Sequence, residues 1–133
     1  MHCASLGEFE QGRPIIEAIK LKYPTTQIIL TFFSPSGYEV QKNYTGADWV
    51  FYLPMDNASN ASKFLDIVNP SMILFVKYEF WLNYLFQLKK QNIPARFLIK
   101  DSFTPKTSQK HKNYTIFLRN RQEIQQVLHK NCG

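Results

Sequence analysis

The sequence predicts an α/β fold, a parallel sheet with helices on both of its faces. Three observations predict it. Short apolar runs alternate with longer amphipathic stretches. The runs are continuous, β-branched and aromatic, which suits strands buried on both faces. Pro, Gly, Asn or Asp bounds each run. Alternation of this kind builds parallel sheets through right-handed crossovers.

The elements follow in order. His2, Cys3 and Ala4 lead straight into Gly7, Glu8 and a helix. A doubly wound sheet needs a strand ahead of that helix, so the first strand is read as clipped, with only its end present. Ile15, Ile16, Ile19 and Tyr23 share the helix's apolar face; Pro14 suits a first-turn position and Pro24 is a stop. Residues 27–33 (QIILTFF) form the second strand, and a short helix follows over residues 37–44. Residues 49–53 (WVFYL) form the third strand. Ala58, Ala61, Phe64, Leu65 and Val68 then line one face of a helix that ends before Asn69 and Pro70. Residues 72–76 (MILFV) form the fourth strand. A helix over residues 80–90 turns Trp81, Leu85 and Leu88 inward and closes at Asn92. Residues 95–99 (ARFLI) form a weaker fifth strand.

The pattern degrades beyond Lys100. Residues 101–115 are polar and loop-like, and residues 116–129 have an untidy helical spacing. The chain is therefore divided into a sheet domain over residues 1–100 and an atypical basic tail over residues 101–133. With 133 residues and 44% apolar content, it holds one domain with a core of its own. The net charge of +6 suits an acidic partner, although much of the excess lies in the tail, where a solvated surface explains it. Cys3 and Cys132 make no metal or redox spacing. Neither GxGxxG nor GxxxxGK[ST] occurs, which argues against dinucleotide and P-loop sites. No HExxH or cysteine cluster supports a metal centre. Tyr and Phe lie mostly on the strand runs and read as core, so no base-stacking platform for nucleic acid is expected.

Ligands of open α/β sheets bind at the carboxyl ends of the strands. Four loops collect there: residues 4–10, residues 34–39, residues 54–56 and residues 77–81. Glu8 follows Gly7 at a helix start. The helix dipole keeps such a carboxylate ionised, and Gly7 permits a tight turn, so Glu8 is a candidate general base; ordinary N-terminal charge placement is the other reading. Glu79 ends an apolar strand and needs a partner, structural or functional. Ser34, Pro35, Ser36 and Gly37 make a small-residue loop whose N–H groups suit a phosphate or carboxylate. Asp56 and Asn57 read first as a helix cap.

These loops carry a resemblance. The stretch HCASLGEFEQ at residues 2–11 looks like the opening motif of Kdo (3-deoxy-D-manno-octulosonic acid) transferases, HAASVGE in many members. LTFFSPSGYE at residues 30–39 resembles their LTTTTPTGxE, YLPMD at residues 52–56 their YLPxD, and KYEFWLN at residues 77–83 their ETELWPN. Phe32, Phe33 and Ser34 replace threonines of the common pattern, and Leu82 stands where a proline is usual. The motifs span residues 1–94, and from Arg96 onward the chain departs from the family's pattern.

The resemblance implies the acceptor-side, Rossmann-like half of a two-domain GT-B glycosyltransferase. It implies Kdo transfer from CMP-Kdo, held by a C-terminal domain, to a lipid A precursor. The transfer would invert the anomeric centre, with no required metal or cofactor. It implies Glu8 as the catalytic base, with Ser5, Gly7, Ser34, Pro35, Ser36, Gly37, Asp56, Lys77 and Glu79 lining the acceptor cleft. It also implies work at the cytoplasmic face of the bacterial inner membrane, against the membrane surface and with no nucleic acid. Residues 1–133 by themselves are expected not to transfer sugar. Another GT-B transferase and a flavodoxin-like or receiver-like binding domain are the alternatives.

Overall fold

A computed structural model describes residues 1–77, 81–100 and 114–117. Its elements are β1 (His2–Cys3), α1 (Leu6–Lys22), β2 (Ile29–Phe32), α2 (Pro35–Gln41), β3 (Trp49–Tyr52), α3 (Ala58–Val68), β4 (Ile73–Val76), α4 (Leu82–Lys90), β5 (Ala95–Lys100) and β6 (Tyr114–Phe117). One sheet holds all six strands in the order β3-β2-β1-β4-β5-β6. β1 to β5 are parallel, and β6 pairs antiparallel with β5. This is the Rossmann-like α/β fold that the alternation predicts. Among the described elements β6 departs from the prediction, placing residues 114–117 in the sheet where a loop and a helix start were expected. Residues 118–129, where the rest of that helix was expected, lie outside the described residues.

The period-two alternation of the strands divides the core in two. Cys3, Leu30, Phe32, Val76 and Leu98 pack with Phe9 and Ile16 of α1. Phe75, Ala95 and Phe97 face the other way, onto Leu65 of α3 and Leu85 and Leu88 of α4. α1 starts at Leu6, so Pro14 lies inside the helix and not in its first turn. Pro14 has no N–H to donate to Glu10. Gly12 lets α1 lie close against the sheet, since a Cβ there would come within 2.9 Å of Met1 Sδ and 3.1 Å of a Val76 methyl.

Two corrections concern the aromatics and caps. β3 is the sheet's edge, so Trp49, Phe51 and Tyr52 are each more than 40% exposed and do not belong to the core. Phe33 and Phe86 are similarly open. Asn57 by itself caps α3, its Oδ1 accepting from the Asn60 N–H at 2.8 Å. Asp56 is committed elsewhere: its Oδ1 accepts from the Tyr84 N–H at 3.3 Å, and its carbonyl accepts from Asn83 Nδ2 at 3.0 Å.

Candidate active site

Strand order makes the site. β1 leads through α1 to β2 on one side, while β4 flanks β1 on the other. The chain therefore reverses direction across the sheet between β1 and β4, and the loops leaving those two strands part to either side. In open α/β sheets the crevice at such a switch point is where ligands bind. The residues that meet there are Ser5, Glu8 and Lys77.

Ser5 ends the loop after β1 and is the N-cap of α1. Ser5 and Glu8 have the spacing of a capping box, in which the serine hydroxyl bonds the backbone. Here the Ser5 hydroxyl makes no such cap and instead donates to the Glu8 carboxylate. From across the switch point, Lys77 Nζ reaches Glu8 Oε1 at 3.0 Å. Burial pushes the Glu8 carboxyl up, but the hydrogen bonds from Ser5 and Lys77 outweigh it, and Glu8 rests below its ordinary value. It is a held carboxylate at the positive end of a 17-residue helix.

Gly7 has a different role from the one its sequence context suggests. It lies inside α1 without a positive φ, and a Cβ on it would meet only Ser5 Oγ, at 3.8 Å. No tight turn requires it. The Lys77 side chain turns to Glu8, and its backbone just past the strand is at φ 65°.

The loop after β2 is bonded to the loop after β1. The N–H groups of Phe33 and Ser34 donate to the Ala4 carbonyl at 3.2 and 2.8 Å. Those of Gly37 and Tyr38 turn inward to the Ser34 carbonyl, each at 3.3 Å, and the hydroxyls of Ser34 and Ser36 bond each other at 2.7 Å. Pro35 has no N–H. The expected anion cradle has thus spent most of its donors on the fold. Gly37 is there for closeness: a Cβ on it would lie 2.3 Å from the Phe32 ring and 3.1 Å from the Ser5 backbone.

Asp56 ties the loop after β3 to α4. Glu79 lies outside the described residues. Of the expected site, then, the structure brings together Ser5, Glu8 and Lys77, backs them with the loop at residues 34–37, and bonds Asp56 to α4.

Sequence reasoning missed His2. It is 3% exposed, bonds Thr31 Oγ1 through Nδ1 at 2.9 Å and meets the Trp81 ring edge-on at 5.0 Å. Burial, with help from the nearby N-terminal amine, pushes its imidazole down to about 4, so it is neutral. Trp81 also stands 5.1 Å from the exposed Phe33, so an aromatic cluster links the buried His2 to the rim. Strand register was the available signal: His2 lies opposite both Thr31 and Phe75. Cys3 is no nucleophile, since burial pushes its thiol up to about 12. Among the described residues no group of three or more His, Cys, Asp or Glu is placed to hold a metal ion. A cavity of about 530 Å³ lies at the other end of the strands, among Ile28, Ile29, Met72 and Ile73, away from Glu8.

Comparison with known proteins decides the family. Residues 1–129 match the model of the 3-deoxy-D-manno-octulosonic-acid transferase (kdotransferase) family. The chain belongs to the Kdo transferase family. The match runs well past residue 94, where the recognisable motifs end. A 3-deoxy-D-manno-octulosonic acid transferase of Haemophilus influenzae is 32% identical over 95 residues, which is 71% of this chain and 22% of that protein. The Kdo transferase of Aquifex aeolicus is 29% identical over 126 residues, 94% of this chain and 35% of the relative. That of Chlamydophila psittaci is 28% identical over 96 residues. The chain therefore spans about a third or less of the length of these curated relatives.

Proposed function

We propose that this chain forms the acceptor side of a Kdo transferase of the GT-B type, with Glu8 as the general base. The Glu8 carboxylate carries the reading: it is ionised, fixed by Ser5 and Lys77, and set at the switch point of a parallel sheet. The reaction is transfer of Kdo from CMP-Kdo to a hydroxyl of a lipid A precursor. As the acceptor oxygen attacks the anomeric carbon, its proton passes to Glu8. The new C–O bond forms, the bond from the anomeric carbon to the CMP phosphate oxygen breaks, and CMP leaves with the electron pair. Attack from the face opposite CMP inverts the centre. Positioned bases of this kind contribute about 10²–10⁴ in rate.

The surface beside the site suits an acceptor held in a membrane. Phe33, Tyr52 and Met55, at or just beyond the carboxyl ends of β2 and β3, are 47%, 42% and 65% exposed. The chain is basic and the cytoplasmic leaflet anionic, so charge and aromatics both support docking at the inner face of the inner membrane. No helix among the described residues is long and apolar enough to cross a membrane.

The test is Glu8→Ala in an intact enzyme that carries this segment, such as residues 1–129 grafted onto the remainder of the Aquifex aeolicus relative. Once the graft transfers Kdo, the variant is expected to lose about 10²-fold or more in rate with its unfolding transition unchanged. Near-normal turnover would remove Glu8 from the role of base.

A further inference from the structure

The two partners of Glu8 are not equivalent. Ser5 belongs to the cap of the same helix, three residues away, and holds the carboxylate from within its own element. Lys77 comes from the other side of the switch point, and its side chain is 46% exposed where that of Glu8 is only 15% exposed. The carboxylate is covered, and the ammonium remains open to solvent.

The backbone of Lys77 marks it further. Its N–H still belongs to the sheet, donating to the Leu98 carbonyl at 2.7 Å, yet its φ is 65°. A lysine rarely adopts that left-handed conformation, and strain of this kind collects at ligand clamps and switches. Here it turns the side chain across the carboxyl end of β4 onto Glu8. A carboxylate paired with an ammonium is a weak base; losing the ammonium raises its affinity for a proton. An ion pair with one fixed and one open partner can therefore be exchanged by a ligand.

We propose that Lys77 is a displaceable counter-ion, which binds a phosphate monoester of the incoming acceptor and in doing so frees Glu8 to take the acceptor's proton. The inference rests on Glu8 being the base. The anion must be a dianion, because it has to outcompete a carboxylate already in place for the same ammonium. Ser5 keeps Glu8 positioned after the exchange. Lys77 is thus a ligand for the acceptor and a timer for the base. Among the described residues, the groups facing Glu8 are Ser5 from α1, Lys77 from the end of β4 and the neutral Cys3 thiol from β1.

The test follows the Glu8 carboxyl carbon by NMR through a pH titration of the whole chain, with sulfate as the probe because it remains a dianion well below the ordinary carboxylate range. Sulfate should move the Glu8 titration upward, beyond the effect of sodium chloride at equal ionic strength, and methyl sulfate, a monoanion at every pH used, should not. Lys77→Asn removes the charge with a residue that tolerates the left-handed backbone. It should titrate higher without any sulfate and stop responding to it, while Lys77→Arg should keep both the low titration and the response. Sulfate acting no differently from chloride or methyl sulfate would overturn the proposal, as would a Lys77→Asn chain that titrates like the wild type. If Lys77→Asn fails to fold, the sulfate, methyl sulfate and chloride arms on the wild-type chain still decide it. The readout is a titration and not sugar transfer, so its failure leaves the assignment of Glu8 as base to the graft experiment.

Discussion

Gly37→Ala is the substitution whose cost the structure defines best. The added methyl would lie 2.3 and 2.7 Å from two carbons of the Phe32 ring and 3.1 Å from the Ser5 carbonyl carbon. Phe32 is fully buried, so its ring has nowhere to swing. Overpacking of a tight core costs about 1–3 kcal/mol. Against it, alanine gains about 0.5–1 kcal/mol over glycine inside a helix. The net loss should be about 1–2 kcal/mol. With a urea slope of roughly 2 kcal/mol/M, the unfolding midpoint should fall by about 0.5–1 M. The same measurement in a Phe32→Leu background isolates the clash, because the shorter side chain removes the ring. There the penalty should shrink by about 1 kcal/mol. A neutral or stabilising Gly37→Ala would refute the reasoning, and so would an equal penalty in both backgrounds.

Other expectations follow from the same packing. His2 is neutral when folded, at about 4 against an ordinary 6.5, so the unfolded chain takes up a proton there first. The stability contributed is complete above about pH 6.5 and is lost as pH falls toward about 4, by roughly 3 kcal/mol at the limit. His2→Gln should flatten that part of the pH–stability curve; a parallel curve for the variant would contradict it. Asn57→Ala removes the side-chain cap of α3 and should cost about 1 kcal/mol in chemical denaturation. Tyr84→Phe leaves the Pro54 carbonyl without the phenol that donates to it at 2.8 Å and should cost about 1 kcal/mol, with hydrogen exchange faster at the start of α4.

The strands and helices were legible because their signals are local. Continuous apolar runs and 3.6-residue faces fix β2, β4, α3 and α4 to within two residues. Edges are not local. Nothing in WVFY says that β3 has a neighbour on one side only, and so its aromatics read as core. β6 was missed because an isolated YTIF amid polar residues becomes a strand only by pairing with β5.

Legibility of the site follows the same division. Glu8 at a helix start could be read from the chain, as could the loop at residues 34–37. The Lys77 ion pair required the strand order 3-2-1-4 and a left-handed residue, and neither is written in a spacing. The serines and Gly37 looked like an anion cradle because close packing of two loops and phosphate binding call for the same small residues. The distances to Ala4, Ser5 and Phe32 show the close packing.

The central claim is that the carboxyl edge of this sheet, at the β1–β4 switch point, is an acceptor site. The most direct measurement is an amide chemical-shift titration of the chain with a soluble phosphorylated glucosamine disaccharide. Saturable shifts confined to residues 5–8, residues 33–37 and Lys77 are the predicted result. Saturable shifts around Ile28, Ile29 and Met72 at the opposite end of the strands, or no saturable shifts at all, would contradict it.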